Sequence, residues 1–172
     1  MSIKPINSIL FVCLGNICRS PLAEGVVRAV LAERGWGGEM LLDSAATSGW
    51  EVGSAPDPRS IAVAVRHGID ISGQRARKVT PEDFHRFDLI LGMDRSNVRD
   101  LKALAPAVVH DRIHLFLEFA EAKARDVPDP YYDGAEAFAS VYRMIRDASE
   151  ALATKLEARA SGPDSGQASS TM

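Results

Sequence analysis

The chain predicts an α/β fold: a single three-layer domain with a central four-stranded parallel sheet and helices on both faces. Three observations carry that expectation. Short apolar runs alternate with longer stretches of helical period, as right-handed crossover connections between parallel strands require. The first run, Ser8-Ile9-Leu10-Phe11-Val12, reads as a short buried strand, covered on both sides. The length, 172 residues, suits one domain and buries roughly 70% of its unfolded surface without staples.

The first strand is the apolar run 8–12, and a helix over 21–34 follows. Leu22, Val26, Val27, Val30 and Leu31 form its stripe, with Pro21 in the first turn and Gly35 as the stop. Residues 40–46 read as the second strand, and 58–66 as a helix ended by His67-Gly68. Residues 88–93 form the third strand, after which Asp94 caps a helix over 95–104 that Ala105-Pro106 ends. Residues 112–116 are the fourth strand. The last helix, 135–158, carries Phe138, Val141, Ile145, Ala148 and Leu152 at helical spacing. The domain is expected to span 1–160, leaving 161–172 as a disordered tail whose Ser-Gly composition buries no apolar area.

Composition narrows the class. With 46% hydrophobic and 25% charged residues the chain reads as an ordinary globule. A net charge of −3 gives no basic field for nucleic acid or an anionic membrane. No run reaches the roughly 18 apolar residues of a membrane span, and no signal-peptide core opens the chain, so a cytoplasmic location is expected. Both cysteines lie within residues 13–20, leaving none for a disulfide framework or a four-ligand zinc site. Neither a metal nor a cofactor is expected.

That segment, Cys13-Leu14-Gly15-Asn16-Ile17-Cys18-Arg19-Ser20, joins the first strand to the first helix. Ligands of open parallel sheets gather beyond the carboxyl ends of the strands, where Cys13 falls. Backbone amides of such a loop converge on an anion, aided by the positive end of the following helix. Arg19 adds a planar fork that matches two phosphate oxygens. The same field favours the thiolate of Cys13, the reactive form of a cysteine. Cys13 is thus a candidate nucleophile and Leu14, Gly15, Asn16, Ile17, Cys18 and Arg19 a candidate phosphate cradle. A plain Gly-Asn turn between two small apolar cysteines is the competing reading of these residues. No Gly-Lys-Ser/Thr follows the glycine, so this is not a nucleotide-binding loop of that type.

The stretch from Val12 to Pro21 resembles the signature of the low-molecular-weight protein tyrosine phosphatases. A second element of that family, Asp-Pro-Tyr, stands at Asp129-Pro130-Tyr131, followed by Tyr132. Asp43-Ser44-Ala45, Trp50-Glu51-Val52-Gly53, Asp57-Pro58-Arg59, His67-Gly68-Ile69 and Met93-Asp94-Arg95-Ser96-Asn97 are similar to it too. The likeness covers about residues 6–158.

The resemblance implies roles. Cys13 attacks phosphorus to give a phosphocysteine, and Arg19 with the loop amides holds the equatorial oxygens. Asp129 is the general acid, then the base for the attacking water; read without the family it is a turn residue before Pro130. Ser20 donates to the Cys13 thiolate, or is a helix N-cap. Asn16 is expected in the left-handed region, supported by Ser44 and His67. Leu14, Trp50, Tyr131 and Tyr132 line an aromatic cleft that suits phosphotyrosine. Cys18 is either a small loop residue or the redox partner that captures oxidised Cys13 as a disulfide.

The implied partners are phosphotyrosine-containing proteins and inhibitory oxyanions such as inorganic phosphate. The chain itself is expected to be a monomer or to self-associate weakly through the cleft. Two rivals share the scaffold. Arginine phosphatases tend to carry threonine where this chain has Ile17. An arsenate reductase with an internal relay needs a later cysteine, and none follows Cys18, which leaves only a glutathione-assisted version.

Overall fold

A computed structural model describes residues 5–36 and 38–160. The sheet is built from β1 (Ser8–Cys13), β2 (Leu41–Ala46), β3 (Leu89–Gly92) and β4 (Ile113–Leu115). Every pairing is parallel and the order is β2-β1-β3-β4. The chain runs outward one way from β1 to β2 and then the other way through β3 and β4. The carboxyl ends of β1 and β3 therefore flank the point where strand order reverses, the ligand position of such sheets.

Alternation along β1 divides the core. Ile9, Phe11 and Cys13 pack with α1 (Arg19–Glu33) and α6 (Ala135–Ala160), while Leu10 and Val12 face Phe84, Phe87 and Leu101. Phe84 lies on α3 (Asp83–Arg86) and Leu101 on α4 (Arg95–Leu104). Helices thus cover both faces, as expected. A helix α2 (Pro58–Val65) stands between β2 and α3 in the chain.

The boundaries differ in instructive places. The first helix begins at Arg19 rather than Pro21, so Pro21 sits in its first turn and Ser20 lies inside it. Gly35 and Gly68 take positive φ (84° and 76°) just past α1 and α2 and stop them as left-handed caps do. Asp94 accepts from the Asn97 amide while the Asn97 side chain accepts from the Asp94 amide, a full capping box on α4. The fourth strand is shorter than 112–116: Arg112 closes a 3-10 turn over Ala107–Arg112, and Phe116 opens helix α5 (Phe116–Glu121). Helices α3 and α5 are too short to show a period in sequence. The expected tail 161–172 lies outside the described residues.

Candidate active site

The loop after β1 turns its carbonyls outward. Cys13 O accepts from the Thr47 amide (3.0 Å), Leu14 O from the Ser48 amide (3.1 Å), Ile17 O from the Asp57 amide (2.8 Å) and Cys18 O from Ser60 Oγ (3.2 Å). In a trans peptide the carbonyl and the next N–H point in opposite directions. The amides of Leu14, Gly15, Cys18 and Arg19 therefore face the inside of the loop. Asn16 carries the one left-handed conformation in the loop (φ 58°), which aims its own amide at Cys13 Sγ, 3.3 Å away. A Cβ added at Gly15 would meet no atom nearer than 3.6 Å, an ordinary contact. The conformational demand falls on Asn16, a residue that tolerates it.

The Asn16 side chain orders a chain of hydrogen bonds ending at sulfur. Its Oδ1 accepts from the Arg77 amide (3.1 Å), so its Nδ2 is the donor to Ser20 Oγ (2.8 Å) and Ser44 Oγ (2.9 Å). Ser20 Oγ, having accepted, lies 3.1 Å from Cys13 Sγ with its own proton free to be donated there. Because Ser20 lies inside α1 and Cys18 is the N-cap residue, the N-cap reading of Ser20 falls. Ser44 lies 3.4 Å from Gln74 Oε1, and Gln74 Nε2 donates to Pro21 O (2.9 Å).

His67 corrects the expectation. It is exposed just past α2, its ring stacked on Tyr142 at 3.9 Å and 8°. Among the described residues no hydrogen bond joins it to Asn16; Gln74 and the Arg77 amide stand in that network instead.

Arg19 is 2% exposed and held from the neighbouring strand. Its Nη1 donates to Asp94 Oδ2 (2.7 Å), just past the end of β3, and to Val127 O (3.0 Å). Burial by itself would weaken its proton affinity, but Cys13, Asp94 and Asp129 outweigh that and hold the guanidinium more firmly charged than a free arginine. Among the described residues its buried Nε has no hydrogen-bond partner. With Nη1 committed, the Nε–Nη2 edge is the one left to fork two oxygens of an anion.

Asp129 Oδ2 stands 3.6 Å from Arg19 Nη2, and its Oδ1 accepts from the Tyr131 amide (3.1 Å). Cys13, Leu14, Gly15, Ile17, Cys18, Arg19, Trp50, Glu51, Asp129, Tyr131 and Tyr132 line one cleft of about 200 Å³. The aromatic rings sit at its rim: Tyr132 is 93% exposed, Trp50 80% and Tyr131 39%. Every expected cleft residue is therefore present, and Glu51 joins them. The Cys18 thiol is pushed up to about 12, by burial first and then by Asp57, Cys13 and Asp129.

Sequence reasoning missed Asp94, Gln74, Arg77 and Asp57-Arg59 as parts of the site. Asp94 was visible as a helix cap and within a family-like stretch, but not as a partner of Arg19, since their meeting depends on β3 lying beside β1. Gln74 and Arg77 lie in an irregular segment with no period to read.

A cysteine thiol and a buried arginine meet in an amide cradle at the switch point of a parallel α/β sheet, an arrangement fit to receive an oxyanion. A family model described as low molecular weight phosphotyrosine protein phosphatase matches residues 8–161, and the chain belongs to that family of hydrolases. It is 43% identical over 146 residues to the low molecular weight phosphotyrosine protein phosphatase of Homo sapiens, covering 84% of this chain and 92% of that one. A crystal structure of protein tyrosine phosphatase from Entamoeba histolytica, with Hepes in the active site, superposes with a TM-score of 0.83 at 37% identity. That match covers 87% of this chain and 96% of the other. The fold alone is shared with YwlE arginine phosphatase, at 21% identity and a TM-score of 0.81 over 87% and 95% of the two chains.

Among the described residues no helix is long and apolar enough to cross a membrane.

Proposed function

We propose that this phosphatase hydrolyses phosphotyrosine and small aryl phosphates through a phosphocysteine, with Asp129 as general acid and then general base. One observation carries the reading: Asp129 stands 3.6 Å from Arg19, across the same cleft that Cys13 Sγ floors. In the first step Cys13 Sγ bonds to phosphorus, the ester bond breaks, and Asp129 gives its proton to the departing phenolate oxygen. In the second, water bonds to phosphorus while the Asp129 carboxylate takes its proton. The S–P bond then breaks, returning the thiolate to its hydrogen bonds from Ser20 and Asn16. Arg19 and the inward amides hold the equatorial oxygens throughout. The exposed rings of Trp50, Tyr131 and Tyr132 offer stacking area to an aryl ester, which favours phosphotyrosine over phosphoserine. The reduced thiol that this chemistry needs at Cys13 supports a cytoplasmic location as part of the same proposal.

The test is hydrolysis of phosphotyrosine, phosphoserine and phosphoarginine peptides by wild type, Cys13→Ser and Asp129→Asn. Cys13→Ser is expected to be inactive. Asp129→Asn should lose about 10²-fold or more on phosphotyrosine and far less on activated aryl phosphates. Turnover by Cys13→Ser sinks the mechanism, and a preference for phosphoarginine moves the substrate to the other member of this scaffold.

Cys18 has a redox part in this reading. When peroxide converts Cys13 to a sulfenic acid, the Cys18 sulfur bonds to the Cys13 sulfur and the hydroxyl leaves as water with the Cys18 proton. In the reduced protein the Cys18 thiol, pushed up to about 12 chiefly by burial, stays protonated at neutral pH. Peptide mapping after peroxide should find a Cys13–Cys18 disulfide, and Cys18→Ser should lose activity irreversibly. Equal recovery by a reductant in both proteins would refute this role.

A further inference from the structure

The segment that carries Asp129 has neither helix nor strand between α5 and α6. Side chains and single backbone bonds must therefore hold it. On its near side Val127 is fully buried, its amide donating to Met93 O (2.8 Å) and its carbonyl accepting from Arg19 (3.0 Å). On its far side the two carbonyls of Tyr131 and Asp133 each accept from Arg59, Nη2 and Nη1 respectively, at 2.9 Å. Asp129 lies between these two anchors.

Arg59 is itself tightly placed. Its Nε and Nη2 fork Asp57 Oδ1 and Oδ2 at 3.0 and 2.9 Å, and its guanidinium lies 4.3 Å from the centre of the Phe138 ring on α6. The Asp57 amide donates to Ile17 O and Ser60 Oγ to Cys18 O, so the first turn of α2 also grips the phosphate loop. One turn of helix thus holds the nucleophile's loop with one set of bonds and the acid's loop with another.

We propose that Arg59 is a positioning residue for proton transfer, fixing the far arm of the Asp129 segment to the turn that holds the phosphate loop. The inference rests on the reading of Asp129 as the general acid. Arg59 needs its planar fork for this, because four donor directions are used at once on Asp57, Tyr131 and Asp133. A lysine ammonium, a point charge with three donors on a flexible stem, cannot span them. Small displacements of a catalytic group cost rate steeply, so loss of the anchor should register in the chemical step.

The experiment measures kcat/KM, which reads the steps up to release of the alcohol, for phosphotyrosine and for an activated nitrophenyl phosphate. Arg59→Lys is compared with Asp57→Asn, which still caps α2 but loosens the fork. Inhibition by inorganic phosphate reports on the cradle. Arg59→Lys should lose about tenfold on phosphotyrosine and less than about threefold on the activated ester. Inhibition by phosphate should be unchanged, and Asp57→Asn should show a smaller effect of the same sign. Added to Asp129→Asn, Arg59→Lys should cost nothing more on phosphotyrosine, since the acid it positions is already gone.

Equal losses on both esters, or weakened phosphate inhibition, would overturn the positioning role and leave a merely structural arginine. If Asp129→Asn itself shows no dependence on the leaving group, the underlying reading fails instead. Should Arg59→Lys not fold, Asp57→Asn decides by the same comparison.

Discussion

At the level of single residues, Asn16 does the most with the least. It supplies the left-handed turn, sends its amide to the Cys13 sulfur, and through one oriented carboxamide makes Ser20 a donor toward Cys13. Ser20→Ala removes the last link of that chain without touching the cradle amides. It should lower kcat about tenfold to hundredfold while inhibition by inorganic phosphate changes little, measured side by side with wild type. The cradle itself was legible because its residues are contiguous, and contiguity is what a sequence displays. Ser44 was reached only through the family likeness, and His67 was misplaced by the same likeness. The site roles of Gln74, Arg77 and Asp94 were missed because each reaches the site through a tertiary contact, which leaves no mark in the local sequence. Burial pattern could not have found them, since a buried polar residue looks the same in sequence whether it braces a site or a core.

At the level of elements, α4 matters because its N-cap is the aspartate that holds Arg19. Close packing fixes that helix: a Cβ on Gly92 would meet Val98 Cγ2 at 2.9 Å and the Val98 amide at 3.1 Å. Gly92→Ala should push the start of α4 outward, costing about 1–3 kcal/mol in urea unfolding. Because Asp94 moves with it, kcat should fall as well, whereas a mutation that only weakens the core should leave activity per folded molecule intact. Long elements were legible for a physical reason. The period of α6 persists through 26 residues, whereas α3 and α5 complete too few turns to show one. The β4 boundary was blurred because Phe116 is apolar in either structure and only packing decides which it joins.

For the molecule as a whole, carboxylates on both sides of the sheet tie stability to pH. Burial alone would raise Asp83, but the Arg77 guanidinium and the Thr80 amide outweigh it and hold its carboxyl below the ordinary range. Asp57 is lowered chiefly by its bond from Arg59. A carboxyl lowered in the folded state binds fewer protons there than in the unfolded chain. Its contribution is therefore present above the unfolded value of about 3.9 and is lost as pH falls through the folded one. Glu24 works in the opposite sense: burial raises it, more than Arg28 compensates, so its contribution is lost as pH rises through its folded value. Urea unfolding should hold steady near neutrality and weaken below about pH 4. Asp83→Asn should cost about 2 kcal/mol at neutral pH and flatten the acid slope. An unchanged slope would show that Asp83 is not the carboxylate responsible. The parallel topology explains why distant residues share one active site, since strand order brings the ends of β1 and β3 together.

The central claim is that phosphate passes through the Cys13 sulfur. Enzyme mixed with excess nitrophenyl phosphate should be quenched in acid within the first turnover, digested, and mapped by mass spectrometry. A single phosphoryl group on Cys13, absent from Cys13→Ser, is the predicted result. Full catalytic turnover with no phosphorylated cysteine, or with the phosphoryl group on any other residue, would contradict it.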